Sequence, residues 1–361
     1  MGFLDFLGSL RRLTDDERFS LEFFQHDEAF EDIKKYVKQK RIQFESISAG
    51  FTFLEDNDYL YITTTDTTLE PLVTKMNGQL KHWFEHRWFN QFKEKAYELI
   101  PRLLARTIIG LEPLKRALTL QMVAPPLFHI LLVNDEGLGA HHFFSGIEQL
   151  IENRTCCIGT ELEDSNLFAQ YDQGMMMVDE FESIKRPIKQ ALLPIMDNGI
   201  VDQEVGVKIS RIKILAACHP LGGRFSRTYE SLRRQLPVEP ALVHRFDLIF
   251  INRVTDIVTR GGKIIRDFEP AKPADKEFVK AYLNYAQTIQ PILPNSFDED
   301  FIDYVEYLQQ KFEHAPKPIT ERMIDTMKKL MIASARLELR EVVEAKDFQR
   351  AREIIENSLT V

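Results

Sequence analysis

Cysteine is nearly absent from this 361-residue chain: the three present are Cys156, Cys157 and Cys218, and none forms a Cys-x-x-Cys pair. That excludes a disulfide framework and a cysteine-type zinc site, and it suits a reducing, cytoplasmic setting. Trp is scarce, with 2 residues. No apolar run approaches the roughly 20 residues that a membrane-spanning helix needs, so no membrane partner is expected. A basic excess is missing too, since 46 Lys and Arg stand against 55 Asp and Glu, a net charge of −9. Any contact with nucleic acid therefore has to come from a local basic patch. There are no internal repeats and no low-complexity segments. The opening stretch, Met1-Gly2-Phe3-Leu4-Asp5-Phe6-Leu7, carries Asp5 and precedes Arg11-Arg12, so the basic-then-apolar order of a secretory signal is missing.

What is present describes a globular chain with a sizeable core: 44% hydrophobic, 28% charged and 26 Phe. Residues 1–95 read as a reduced N-terminal α+β region. A helix opens at Asp27-Glu28, with Lys34, Lys35, Lys38, Lys40 and Arg41 on its polar side; the cluster could touch phosphate, but a solvated face is the commoner explanation. Gln43–Ser48 and Phe51–Leu54 read as strands, and Asp56-Asn57-Asp58 as a turn before a returning strand at Tyr59–Thr65. Leu80–Ile100 reads as a helix with Trp83, Phe84, Trp88, Phe89 and Phe92; a buried aromatic face is the commoner reading, and base stacking aided by Lys81, His82, His86 and Arg87 is the alternative.

Residues 96–265 alternate apolar strands with helices, the pattern of a parallel sheet. The focal stretch is Gly174-Met175-Met176-Met177-Val178-Asp179-Glu180-Phe181. An apolar run ending abruptly in two carboxylates reads as a central strand with Asp179 and Glu180 at its C-terminal edge, where open sheets place their ligand sites. Such a pair can hold Mg²⁺ and polarise a water; the alternative is that it caps the next helix. The strand Phe128–Val133 runs into Asn134-Asp135-Glu136-Gly137-Leu138-Gly139-Ala140-His141 and then a helix to about Glu152, the layout of a phosphate-binding loop. The pattern Gly-x-x-x-x-Gly-Lys-Ser/Thr is only half met. Asn134 takes the first position and Gly139 the sixth, while Ala140 and His141 replace the phosphate Lys and the magnesium hydroxyl. A helix at Ile184–Met196 is expected to be interrupted by Pro187 and Pro194, and Ile200–Ile209 to be a short hairpin carrying Lys208. Residues 266–361 read as a helical domain with starts at Thr320-Glu321 and near Asp347.

Taken together, these segments resemble the ATPase core of the minichromosome maintenance (MCM) proteins, AAA+ replicative helicases, over residues 95–357. Ile109–Ala117 is similar to that family's entry helix, Gly174–Phe181 to its Walker B strand, Ile214–Gly223 to its sensor 1 strand, and Leu242–Phe250 to its Leu-Leu-Ser-Arg-Phe-Asp-Leu-Ile-Phe segment. Ile319–Arg322, with Ala333–Leu337, is similar to its lid. The resemblance implies an AAA+ parallel sheet flanked by helices and followed by a helical lid, with ATP and Mg²⁺ as cofactors and MCM-type subunits and DNA as partners. It puts Asn134–His141 on Walker A and Asp179 and Glu180 on Walker B. His219 falls on sensor 1, where the family has Asn. Arg245 falls on the arginine finger and Arg322 on sensor 2, both presented to a neighbouring subunit's nucleotide. For Arg245 the residue-level alternative is a pair with a local acid such as Asp247. The pre-sensor hairpin, which touches DNA in the family, is short here, with Lys208 its one lysine. The expectation is an MCM-like protein with a degenerate Walker A and little or no ATPase of its own, acting with an MCM or DNA. An active helicase subunit and a non-catalytic interaction protein are the alternatives.

Overall fold

The computed structural model describes residues 51–56, 59–64, 89–90, 92–104, 108, 110–137, 139–203, 206–225, 232–253, 273–312 and 315–360. The chain divides into two units, Met1–Phe89 and Asn90–Val361. In the first, β1 (Phe51–Asp56) and β2 (Tyr59–Thr64) pair antiparallel, from Phe51↔Thr64 to Asp56↔Tyr59. The expected helix from Asp27, its lysine cluster, the strand over Gln43–Ser48 and the aromatic residues from Trp83 to Trp88 lie outside the described residues.

The second unit opens with α1 over residues 92–103 and α2 (Glu112–Val123). Its strands are β3 (Ile130–Asn134), β4 (Arg154–Ile158), β5 (Met175–Asp179), a hairpin of β6 (Ile200–Gln203) and β7 (Gly206–Ile209), β8 (Lys213–Cys218) and β9 (Leu248–Asn252). Five of them form one parallel sheet in the order β4-β5-β8-β3-β9. Every residue of β3 and β8 is buried, as are Met175 to Val178. Continuous apolar strands with no polar alternation are what a parallel sheet covered on both faces requires.

Between the strands lie α3 (His141–Glu148), α4 (Asn166–Gln170), α5 (Arg186–Asn198), α6 (Leu232–Gln235) and α7 (Pro240–Val243). Two of these helices differ from expectation. The helix α3 stops at Glu148, short of Glu152. Neither proline interrupts α5. Pro187 lies in its first turn, where no intrahelical donor is lost, and Pro194 is carried inside the helix. Buried Ile188, Leu192, Ile195 and Met196 hold that helix on the sheet core and outweigh the one missing bond.

The C-terminal helices are α8 (Pro273–Thr288), α9 (Asp298–Lys311), α10 (Arg322–Leu337) and α11 (Ala345–Leu359). α10 buries Met323, Met327, Leu330 and Met331 and packs on α2 and α11. Two polar joints tie these helices to the sheet. At the C-terminal end of α2, Lys213 Nζ and Gln287 Nε2 donate to the Met122 carbonyl at 2.8 and 3.0 Å, and Arg336 Nη1 donates to the Val123 carbonyl at 3.0 Å. Cations there complement the negative end of the helix dipole. The second joint is the buried Asp247 carboxylate. It accepts from the His129 backbone N–H at 2.8 Å, Lys329 Nζ at 2.9 Å and the Thr326 hydroxyl at 3.2 Å. Burial by itself would raise its carboxyl, but the Lys329 ammonium and the donors around it hold it below the ordinary range. Burial pushes the His129 imidazole down to about 4, so the ring is neutral and bonds Ile214 N and the Met196 carbonyl. Among the described residues no helix is long and apolar enough to cross a membrane.

Candidate functional site

Because β5, β8 and β3 are parallel neighbours, their C-terminal ends share one edge of the sheet. That edge carries Asn134 and its loop, Asp179-Glu180, and His219 just past β8. The register Val133↔Cys218 sets Asn134 beside His219, whose Nδ1 lies 2.9 Å from the Asn134 carbonyl. The His219 backbone N–H donates to Glu182 Oε1 at 3.3 Å, joining the segment after β8 to the turn after β5.

The loop from Asn134 is bonded to its neighbours. Asn134 Oδ1 accepts from Asn252 Nδ2 at 2.8 Å. The Asp135 N–H donates to the Asn252 carbonyl at 3.0 Å, and its carboxylate accepts from the Phe225 N–H at 2.9 Å. The Glu136 N–H donates to the Gly223 carbonyl at 2.9 Å. The Glu136 carboxylate lies against Gly223, so close that a Cβ there would collide with it. Gly137 takes φ 93, a turn open to glycine, while Leu138 lies outside the described residues. The His141 ring folds onto Gly139 and packs against His142, ring centroids 3.9 Å apart. Ala140 is buried at the start of α3. A triphosphate with Mg²⁺ needs an ammonium and a hydroxyl at positions 140 and 141, and amides free to face the anion. This loop offers two carboxylates, an imidazole and an amide committed to Gly223, a donor set that does not fit the group.

Asp179 and Glu180 end β5 as expected, but their arrangement is local. Asp179 Oδ1 accepts the Glu180 N–H at 3.0 Å, and Glu180 takes a left-handed φ of 49 that opens a turn of 3₁₀ helix over Phe181–Ser183. Gly159 makes that turn fit, since a Cβ there would collide with the Glu180 carbonyl oxygen. Among the described residues no group of three His, Cys, Asp or Glu side chains could hold a metal ion.

The two arginines converge on a carboxylate, but not on Asp247. Arg245 Nη2 is 2.7 Å from Asp197 Oδ2, and Arg322 Nη1 is 3.0 Å from Asp197 Oδ1. The local acid for Arg245 is thus Asp197, because Asp247 is already enclosed by His129, Thr326 and Lys329. This cluster sits at the other edge of the sheet. Asp197 follows Met196, whose carbonyl holds His129, and the Asp247 N–H bonds the His129 carbonyl just before β3 and β9 begin. A five-residue strand separates it from the Asn134 loop, a span of roughly 16 Å. Asp197 and Glu182 were missed in the sequence. Asp197 had one signal, an acid in the last turn of a helix just before Asn198-Gly199, and Glu182 had none. Lys208 stands on the exposed hairpin between Val207 and Ile209, themselves 66% and 64% exposed.

Comparison with known proteins adds the following. The MCM P-loop domain model matches residues 86–260, and the MCM AAA-lid domain model residues 277–359. The chain is 25% identical to an uncharacterized MCM-type protein of Methanocaldococcus jannaschii over 371 residues, covering 83% of this chain and 46% of that protein. It is 25% identical to the DNA helicase MCM8 of Mus musculus, covering 79% of this chain and 44% of that protein. It is 26% identical to the zygotic DNA replication licensing factor mcm6 of Xenopus tropicalis over 207 residues, 52% of this chain and 25% of that protein. The chain thus spans less than half the length of each of these relatives.

Proposed function

Because this chain belongs to the MCM family, whose members it resembles over both the P-loop and the lid domains, we propose that it is a non-hydrolysing MCM-type subunit. In this reading it presents Arg245 and Arg322 to ATP held by a partner whose own loop is complete. One observation carries the reading: the arginine pair and the loop occupy opposite edges of the sheet, roughly a five-residue strand apart, so these arginines cannot serve their own chain's loop. Guanidinium suits the task, being permanently charged and able to fork onto phosphate oxygens.

The loop supports the other half. Replacing the phosphate Lys by Ala140 removes a charge-assisted contact worth about 1.5–3 kcal/mol in binding. It also removes an electrostatic donor of the kind that contributes about 10²–10³ in rate. Asp135 and Glu136 add negative charge to the loop, one bonded to the Phe225 N–H and the other lying against Gly223, so no hydrolytic step is assigned to this chain's Asp179, Glu180 or His219. Lys208 and the hairpin around it are the surface offered to DNA in the same reading.

The test is an ATPase measurement on the chain alone and mixed with a complete-loop MCM-type protein from the same genome. The chain alone should turn over no ATP. The mixture should, and Arg245→Ala or Arg322→Ala should lower its kcat by at least about tenfold. Turnover by the isolated chain that is lost in Glu180→Gln would refute the proposal, as would a mixture indifferent to both arginines.

A further inference from the structure

We propose that Asp197 is the positioning residue of this arginine pair, assembling two guanidiniums from separate elements into one fork for an anionic phosphate group. The inference rests on the reading above and names the residue that makes it work. Arg245 follows α7, Arg322 opens α10, and Asp197 lies in the last turn of α5. Two cations brought together from different elements repel each other, and one carboxylate between them, with an oxygen for each, removes that repulsion. It also leaves the cluster with one net positive charge, the sign needed to receive phosphate.

The two arginines depend on Asp197 unequally. Arg245 is fixed at three of its donors: Nε to the Leu193 carbonyl at 3.3 Å, Nη1 to the Ala241 carbonyl, and Nη2 to Asp197. Among the described residues, the remaining two of its five N–H groups have no hydrogen-bond partner. Its side chain is 22% exposed, so those donors are held at the rim in a set direction. Arg322 is 51% exposed, and among the described residues Asp197 is the carboxylate it reaches. The Arg322 charge is felt at the buried Lys317 ammonium. Without Asp197, Arg322 would turn outward, away from Lys317, while Arg245 would keep its two carbonyl contacts. Because Arg322 is the first residue of α10, the same carboxylate ties the lid to the helix that follows the β5 turn.

The experiment uses the mixed complex with a complete-loop MCM-type ATPase and reads kcat and KM for ATP, complex formation by light scattering, and melting temperature. Asp197→Ala should lower kcat by about ten- to a hundredfold, the cost of misplacing a reacting partner by about 1 Å. KM and complex formation should change little, and Asp197→Glu should recover most of the loss. A purely structural role would lower the melting temperature and the yield of complex while leaving kcat per complex unchanged, and that result overturns the proposal. If Arg245→Ala and Arg322→Ala lower kcat but Asp197→Ala does not, the positioning role is wrong and the reading in trans stands. If none of the three variants lowers kcat, or no mixed complex forms, the reading in trans falls and takes this inference with it.

Discussion

Lys213 offers the sharpest test of the energetics. It begins β8, 5% exposed, and its ammonium donates to the Met122 carbonyl at 2.8 Å. Burial, with the Arg336 charge nearby adding to it, pulls its pKa from 10.5 down to about 7. The unfolded chain holds this proton up to the ordinary lysine value, whereas the folded chain gives it up near neutrality. Folding therefore releases a proton between the two values, and stability rises with pH across that window. The full displacement corresponds to about 5 kcal/mol, of which about 2 kcal/mol is regained between about pH 7 and about pH 9. Lys213→Met keeps the length and apolar stem of the side chain and removes the titration. The Met122 carbonyl still accepts from Gln287, and Val123 from Arg336, so no acceptor is orphaned.

The variant should therefore be more stable than the natural chain at neutral pH by about 3 kcal/mol, after roughly 1 kcal/mol is subtracted for the lost hydrogen bond. The difference should shrink as pH rises and vanish near about pH 10. Denaturant unfolding followed by far-UV circular dichroism, both proteins in parallel across that range, measures it. Lys317, which burial lowers to about 8, tilts both curves the same way and cancels in the difference. A variant that is less stable at neutral pH, or a difference that ignores pH, would refute the account of Lys213 as a charge buried at a cost.

Asp247→Asn breaks a buried pair and leaves Lys329 without its carboxylate, so it should cost about 3–5 kcal/mol in the same unfolding measurement. Because the Asp247 carboxyl is held below its ordinary range, the loss should be complete at neutral pH and fade on acidification through the depressed value. Gly159→Ala drives a methyl into the Glu180 carbonyl, and a loss of about 1–3 kcal/mol is expected; a neutral result would mean the turn after Asp179 yields freely. Ala140→Lys with His141→Ser restores the loop's missing ammonium and hydroxyl. ATP binding by calorimetry should improve by no more than about a hundredfold, and should improve again when Glu136→Gly removes the carboxylate that lies against Gly223. A double variant that binds as well as the triple one would show that Glu136 obstructs nothing.

The sheet was legible because fully buried parallel strands leave an unambiguous trace: Ile130–Val133, Met175–Val178 and Ile214–Cys218 are apolar without a break. The lid helices were legible for the opposite reason, since Met327 and Met331 mark a single buried stripe on α10. Pro194 misled because local propensity was overruled by the apolar face of α5. At the site, the missing Lys and hydroxyl were visible at positions 140 and 141. The partner of Arg245 was not, because it lies 48 positions away on another helix while Asp247 lies two positions away in the chain. Sequence proximity favoured the wrong acid, and nothing in the spacing showed that Asp247 was already enclosed by residues 129, 326 and 329.

A parallel sheet also keeps the loop and the arginine cluster apart, at opposite edges. The loop is supported by Asn252, Phe225 and Gly223, the arginines by Leu193, Ala241 and Asp197, and the two sets share no residue. What lies between them is the buried length of β3, roughly 16 Å, apolar from Ile130 to Val133. Sites separated in this way should perturb stability independently. Glu136→Ala and Asp197→Ala, made singly and together, should therefore add to within about 0.5 kcal/mol. A larger coupling would mean that the strands carry strain between the edges, and that the state of the loop reaches the arginine fork through the sheet itself.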